Sequence, residues 1–296
     1  MAALPPDVVA WRDTGRHLDI DGRRIFAVDT APGEPGDTHT GDPPIVIVHG
    51  FPGSSYDWAQ VVPRLAPYRR VVVFDQLGYG LSDKPADSLY SLFEYADLTE
   101  SLLTALGIQR CVLVGHDMGD TVAAELLHQQ GAGDLSIGID QVFLTNGSIF
   151  SDLVQLTRGQ RLALALPGRS ALPVPGWLIR HSLRESFARA APPPAGAVDA
   201  MTALVQYGGG AKLLTSQIRY VVERRINQDR WTAALVDFDG PMTALWGMLD
   251  PIAVPSMAER LASLRPHTEI VTWPDLGHWP PLEAPERLAA AIIDRL

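Results

Sequence analysis

The sequence is poor in cysteine and has no long apolar run. Cys111 is the only cysteine, so no disulfide can form within the chain. It lies in the apolar stretch 111–114, where we expect it to pack in the core. No stretch approaches the roughly 20 apolar residues that a membrane span needs. Residues 1–6 have no basic region followed by an apolar stretch, so we expect no signal peptide and a cytoplasmic protein.

The charge and the polar motifs exclude several kinds of partner. The formal net charge is −10, which argues against nucleic acid and anionic membrane as partners. No His, Cys, Asp or Glu spacing suggests a metal site, and no glycine-rich phosphate loop appears, so we predict no metal and no cofactor. The 296 residues suit one large domain, or one domain with an insertion, as a monomer or homodimer.

Short apolar runs alternate with helical patterns over most of the chain. Residues 16–29 predict a hairpin with Asp21 and Gly22 as its turn, and residues 31–44 predict a loop. The predicted buried strands are 45–48, 71–74, 111–114, 142–144, 242–246 and 269–273. The predicted helices are 91–106, 118–130 and 283–295. This alternation predicts a mainly parallel sheet covered on both faces.

The alternation stops near Asn146 and resumes near residue 242. Residues 150–237 carry helical patterns broken by prolines and by three glycines at 208–210. These glycines suit a hinge or a loop, and we predict a loop. The simplest interpretation is a helical cap, residues 147–237, inserted into an α/β core. That core would comprise residues 1–146 and 238–296.

The segment GHDMG at residues 115–119 follows a predicted strand and opens a predicted helix. It has the form of a nucleophile elbow, in which glycines allow a sharp turn that holds the central side chain above the sheet. The central residue here is Asp117, a carboxylate. The alternative is an aspartate that only caps the helix.

Two further segments supply partners for this carboxylate. Asp250 follows the strand 242–246, and His278 follows the last strand. The order nucleophile, acid, base is that of the α/β-hydrolase fold. Each residue alone could be an ordinary loop residue, but their order and their positions just beyond strands favour catalysis.

The loop HGFP at residues 49–52 follows the first buried strand, where the backbone N–H groups of Phe51 and Met118 would form an oxyanion hole. A carboxylate attacks saturated carbon by displacement and leaves an ester on the enzyme. Water activated by His278, itself oriented by Asp250, would then hydrolyse the ester. This chemistry suits an epoxide or a halide better than an ordinary ester.

From about residue 15 to its C-terminus the chain resembles the epoxide hydrolase and haloalkane dehalogenase branch of the α/β-hydrolases. The resemblance is carried by residues 49–52, by DQLGYGLSDKP at 75–85 and by residues 115–119. It implies an α/β-hydrolase fold: a mainly parallel eight-stranded sheet flanked by helices, with an inserted helical cap.

The mesoderm-specific transcript family, in the same branch, is a closer match. Its motifs resemble HGFPGSSYDW at 49–58, HDMGD at 116–120 and TNGSIF at 145–150. This match indicates the lineage more closely than it indicates the reaction.

The resemblance also bears on the leaving group. The haloalkane dehalogenases usually place Trp after the nucleophile and often an Asn in the oxyanion loop, where this chain has Met118 and Phe51. Fluoroacetate dehalogenases typically have Arg after the nucleophile. Epoxide hydrolases protonate the ring oxygen with cap tyrosines, and Tyr220, thirty residues before Asp250, resembles the later of the two. These points favour an epoxide.

A second ring-opening donor has no clear counterpart, although His181, Trp177 and Tyr207 are candidates. We predict a small, largely apolar substrate held between core and cap. The candidate pocket residues are His49, Pro52, Trp58, His116, Trp177, His181, Tyr207 and Trp279, with His116 packing beneath the elbow. The predicted reaction is hydrolysis of an epoxide to a vicinal diol. The alternatives are a haloalkane or haloacid dehalogenase, and a non-catalytic ligand-binding protein, which the intact Asp, Asp and His set disfavours.

Overall fold

A computed structural model describes residues 3–31, 41–168 and 172–296, so most of the predicted loop 31–44 lies outside the described residues. Eight strands form one sheet in the order β1-β2-β4-β3-β5-β6-β7-β8. They are β1 Arg16–Ile20, β2 Arg23–Asp29, β3 Ile45–Val48, β4 Val71–Phe74, β5 Arg110–His116, β6 Gly138–Thr145, β7 Met242–Gly247 and β8 Glu269–Trp273. The β1–β2 and β2–β4 pairs are antiparallel and the others are parallel. The predicted mainly parallel eight-stranded sheet is confirmed.

Thirteen α-helices surround the sheet in the described ranges. They are α1 Pro6–Thr14, α2 Val62–Leu65, α3 Leu92–Ala105, α4 Met118–Ala132, α5 Arg158–Ala165, α6 Gly176–Ser186, α7 Ala197–Gln206, α8 Leu214–Gln217, α9 Tyr220–Ile226, α10 Gln228–Asp237, α11 Ser256–Leu264, α12 Pro280–Glu283 and α13 Pro285–Ile293. Two 3-10 helices cover Ser55–Trp58 and Tyr207–Lys212. No helix of the described residues is long and apolar enough to cross a membrane.

The side chains of each central strand point alternately to two hydrophobic clusters, one on each face of the sheet. Val46 and Val48 belong to the cluster that includes buried residues of α3, α4 and α11. Ile45 and Ile47 belong to the cluster that includes residues of α1, α2 and α13. All four side chains are buried. Burial on both faces explains why the strand reads as an unbroken apolar run.

Two predictions need correction, one of a helix and one of a loop. The predicted helix 283–295 is interrupted at Ala284, which has an extended φ of −150°, and α13 starts at Pro285. The cause is Pro285, because proline disfavours a helical conformation in the residue before it. The glycines 208–210, predicted as a loop, lie inside the 3-10 helix Tyr207–Lys212, which is kinked where Gly208 and Gly209 have positive φ.

The chain between β6 and β7 contains α5 to α10 and, in its described residues, no strand. Helix α5 packs against α6 and α8, α6 packs against α7, and α10 packs against α4 of the core. The segment is therefore helical, as predicted. Its exact division from the core, at residues 147 and 237, stays a prediction.

Candidate active site

Asp117 occupies the sharp turn between β5 and α4. Its φ is 50° and its ψ is −108°, a conformation that a non-glycine residue rarely adopts. A Cβ atom at Gly119 would lie 2.1 Å from the carbonyl oxygen of Val48, so only glycine fits where α4 starts against β3. The turn thus has the geometry of the predicted elbow, with a carboxylate at its apex.

Two groups hold the Asp117 carboxylate, which is 2% exposed. The Phe51 N–H donates to Oδ2 at 3.0 Å, and the Ser148 hydroxyl donates to Oδ1 at 3.2 Å. The Met118 N–H makes no hydrogen bond to this carboxylate in the described structure. One of the two predicted oxyanion donors therefore already contacts Oδ2, while Oδ1 faces a hydroxyl.

His278 and Asp250 form a buried pair, with Nδ1 and Oδ2 2.8 Å apart. The Asn146 side chain donates to the same Oδ2 at 2.7 Å. The backbone N–H groups of Ile252 and Ala253 donate to Oδ1 at 2.7 and 2.9 Å. Asp250 is thus fixed as an acceptor, which places the proton of a neutral His278 on Nδ1 and leaves Nε2 free to take up another.

The pKa values of His278 and His116 are shifted in opposite directions. Burial lowers the pKa of His278, but the charge and hydrogen bond of Asp250, with the charge of Asp117, outweigh it and raise that pKa to about 8. Burial lowers the pKa of His116 to about 4. His116 Nε2 donates to the His278 carbonyl at 2.8 Å, so the neutral His116 supports the loop that carries His278.

Tyr220 begins α9 and is buried above the oxyanion loop. Its ring centroid lies 5.6 Å from that of Phe51, and the Arg224 guanidinium lies 4.8 Å from its ring centroid. Burial and the Asp117 charge raise the Tyr220 pKa well above its ordinary value, while Arg224 opposes the rise. Tyr220 therefore keeps its proton at neutral pH and can donate it.

Arg224 is itself fully buried. Its Nε donates to the Thr121 hydroxyl at 2.8 Å, whereas its two terminal nitrogens have no hydrogen-bond partner among the described residues. Burial raises the pKa of the neighbouring Asp120 well above its ordinary value, with Arg224 opposing. A buried cation thus stands behind the tyrosine ring, where its field favours negative charge.

An apolar cavity borders the loops that carry these groups, with a volume of about 710 Å³ including its open mouth. Its walls on the core side are Phe51, Pro52, Ile252 and Trp279. The cap side is formed by Thr157, Gly159, Gln160, Leu162, Ala163, Leu166, Val174, Leu178, Ile179, Ser182, Leu183, Ser186 and Leu214. Ser186 accepts a hydrogen bond from the Trp279 indole at 2.8 Å, so this polar group of the wall is already paired. The lining of the cavity is therefore mainly apolar.

Several candidate pocket residues do not line this cavity. Trp177 is 69% exposed, and His181 is exposed and lies 3.5 Å from Glu185. Tyr207 packs under Lys84, whose Nζ is 5.6 Å from its ring centroid. None of the three candidates for a second donor is therefore at the cavity.

Three other candidates, Trp58, His49 and His116, are buried around the elbow. Trp58 packs against His116, with ring centroids 6.5 Å apart, behind the turn. His49 Nδ1 bonds the Gly50 carbonyl at 2.9 Å, and its Nε2 accepts from the Gln76 N–H at 3.0 Å. Burial lowers the pKa of His49. These residues shape the turn and the oxyanion loop.

Sequence reasoning assigned no role to Ser148, Asn146 or Arg224. The first two follow the end of β6, which pairs with β5, the strand that precedes Asp117. Their position in the segment 145–150 is the signal by which the sequence could have identified them. Arg224 follows Tyr220 by four residues, the spacing that puts two side chains on one helix face. In the described residues, no group of three His, Cys, Asp or Glu could hold a metal ion.

Residues 43–285 match the family model described as alpha/beta hydrolase fold. The chain belongs to the α/β-hydrolase family. Its relatives place it in the branch that the motifs resemble. LipZ of Mycobacterium tuberculosis is 34% identical over 98% of each chain. The mesoderm-specific transcript protein of Mus musculus is 33% identical, over 95% of this chain and 85% of its own.

A further relative and a solved structure are also similar to this chain. Haloalkane dehalogenase 2 of Mycobacterium tuberculosis is 26% identical, over 98% of this chain and 97% of its own. A crystal structure of an α/β-hydrolase fold protein from Burkholderia ambifaria superposes with a TM-score of 0.78. It is 25% identical, over 96% of this chain and 98% of its own. The protein is a hydrolase of the α/β fold.

Proposed function

We propose that this hydrolase opens an epoxide to a vicinal diol through an ester on Asp117. The observation that carries the proposal is the buried Asp117 carboxylate at the elbow, one oxygen held by the Phe51 N–H, with the Tyr220 ring 5.6 Å from the ring of Phe51. A carboxylate nucleophile suits a substrate with a leaving group on saturated carbon. The apolar cavity beside it suits the rest of a largely apolar substrate.

In the first step, Asp117 Oδ1 attacks one ring carbon, and the bond from that carbon to the epoxide oxygen breaks. Tyr220 gives its proton to this oxygen, which becomes a hydroxyl. The Arg224 cation over the Tyr220 ring, 4.8 Å from its centroid, stabilises the phenolate that is left. One buried tyrosine with a cation behind it would thus do the work for which a second tyrosine was sought.

Formation of the ester removes the Asp117 charge that helps to raise the His278 pKa, so His278 releases its extra proton to solvent. In the second step, Nε2 of the neutral His278 removes a proton from water, which attacks Cγ of the Asp117 ester. Phe51 stabilises the resulting oxyanion at the oxygen it already contacts in the free enzyme. Asp250 stabilises the imidazolium of His278, 2.8 Å away. Collapse of the intermediate releases the diol and restores the Asp117 carboxylate, and His278 returns a proton to Tyr220 through solvent.

A dehalogenase is the second candidate, because haloalkane dehalogenase 2 is a full-length relative. A departing halide needs N–H or O–H donors. The side chain of Met118, next to Asp117, is a thioether without a donor, and it accepts a contact from the Tyr79 hydroxyl at 3.6 Å. This difference favours the epoxide.

Single turnover decides between the candidates. The wild type should convert styrene oxide to its diol and release no chloride from 1-chlorobutane. In water labelled with oxygen-18, the label should enter Asp117 and be absent from the first diol formed. His278→Gln should accumulate a protein adduct with the mass of one styrene oxide, and Asp117→Ala should form none. Full activity of Asp117→Ala would refute the proposal, and chloride release without diol would select the dehalogenase.

The ring-opening acid is tested separately. Tyr220→Phe should lower the rate of adduct formation on styrene oxide by about 10²-fold or more, the usual contribution of a general acid. Tyr207→Phe, in a cap tyrosine away from the cavity, is the matched control and should keep the wild-type rate. Equal rates in Tyr220→Phe and Tyr207→Phe would exclude Tyr220 as the acid.

A further inference from the structure

Charge is distributed very unevenly along the chain. Residues 147–237 contain eleven basic and six acidic residues, a net charge of +5, whereas the whole chain has −10. The rest of the chain therefore has a net charge of −15. Within the segment, residues 158–189 contain six arginines and a single acidic residue, Glu185. The overall charge thus hides a basic region in the helical segment.

Helices α5 and α6, which pack against each other, expose part of this region. On α5 the exposed residues include Arg158, Arg161 and Leu162, at the spacing of one helix face. On α6, Trp177 and Arg184 are exposed and are seven residues apart, again on one face. These three arginines make no ion pair with any described residue, although other cap arginines do.

Two exposed leucines of this region lie at the mouth of the cavity. Leu162 and Leu166 line the cavity and are also 51% and 41% exposed, so the cavity opens where these side chains meet solvent. Arg158, Arg161 and Arg184 line the adjoining open groove. We name the set Arg158, Arg161, Leu162, Leu166, Trp177 and Arg184 the cap face.

We infer that the cap face docks on an anionic lipid membrane, so that an apolar substrate can pass from the bilayer into the cavity. Exposed Trp and Leu side chains edged by arginines are the composition of surfaces that lie in the membrane interface. Arginines without ion pairs match the negative headgroups. A second copy of the chain fits this surface poorly, because a symmetric dimer would bring the same arginines face to face.

This docking is independent of the chemistry proposed for Asp117, and it qualifies the expectation drawn from the net charge. Since attraction to headgroups acts over about one Debye length, roughly 8 Å at physiological salt, the nearby basic face outweighs more distant acidic residues.

The test is flotation of the full-length protein with vesicles of phosphatidylcholine alone or with added phosphatidylglycerol. Binding should need phosphatidylglycerol and should be lost in about 0.5 M salt. Arg158→Gln with Arg161→Gln should weaken the partition coefficient about 25-fold, on the basis of about fivefold for each arginine. Trp177→Ala should weaken it about tenfold.

Matched controls separate the cap face from general charge. Arg12→Gln with Arg23→Gln removes the same charge from the core surface, and Leu264→Ser removes an exposed core leucine. Both should bind like the wild type, and circular dichroism should show every variant folded. Failure of the wild type to float with anionic vesicles, equal binding to phosphatidylcholine alone, or equal weakening by the controls would overturn the inference.

Discussion

Raising the pH from about 6 to about 9 is expected to destabilise the folded protein through His278 by about 2 kcal/mol. Its pKa is about 8 in the folded protein against 6.5 for an ordinary histidine. Because the folded pKa is the higher one, protonated His278 stabilises the fold. That stability is complete below about pH 6.5 and is lost as the pH rises through about 8. At about 1.4 kcal/mol per unit of pKa, the difference between the folded and the ordinary pKa of His278 corresponds to about 2 kcal/mol.

The measurement is urea unfolding of the wild type and of His278→Gln at both pH values. Other groups titrate in the same range, including the buried Asp57, whose pKa is raised to about 7 by burial. They contribute equally to both proteins and cancel in the difference. The wild type should therefore lose about 2 kcal/mol more than His278→Gln. A difference below about 0.5 kcal/mol would refute the argument that Asp250 and Asp117 hold the His278 proton.

Two further changes test the packing behind the site. Gly119→Ala would place its Cβ 2.1 Å from the Val48 carbonyl oxygen and should cost about 3 kcal/mol or more, whereas Gly131→Ala, in open space on the same helix, should stabilise by up to about 1 kcal/mol. Thermal unfolding of both variants checks this, and equal melting temperatures would contradict it. Glu125→Gln weakens the bidentate contact between Glu125 of α4 and Arg230 of α10, whose two hydrogen bonds are each 2.8 Å long. It should lower the free energy of unfolding in urea by about 2 kcal/mol. An unchanged unfolding midpoint would show that the contact contributes nothing.

The sheet was predictable because its central strands are buried on both faces. The bounds of β3, β4 and β8 match the predicted strands, since their apolar runs begin and end with the strand. The first half of β6 was missed because Asp140 and Gln141 are only partly buried there and interrupt the apolar pattern. Strand prediction from apolar runs thus finds the buried part of a strand and loses the exposed part.

The positions of the candidate site residues were predictable where a residue directly follows the end of a strand. Asp117, Asp250 and His278 each follow the carboxyl end of a parallel strand. The fold brings Asp250 and His278 into contact. The cap was harder, because the direction of a helical side chain depends on how helices pack. Trp177 and Tyr207 were candidates by residue type, yet packing directs both away from the cavity.

Helix α9 carries both the proposed acid Tyr220 and Arg224, whose guanidinium lies over its ring, while the proposed nucleophile Asp117 and base His278 lie just past the ends of strands. Its Glu223 accepts a hydrogen bond from the Leu92 N–H at 2.6 Å, which seats α9 against the start of α3. In the proposed mechanism the two half-reactions therefore depend on different parts of the chain. Bond breaking at the substrate needs α9 to be seated, whereas release of the diol does not. A variant that loosens α9, such as Glu223→Ala, would slow the formation of the Asp117 ester and leave the hydrolysis of that ester at its usual rate.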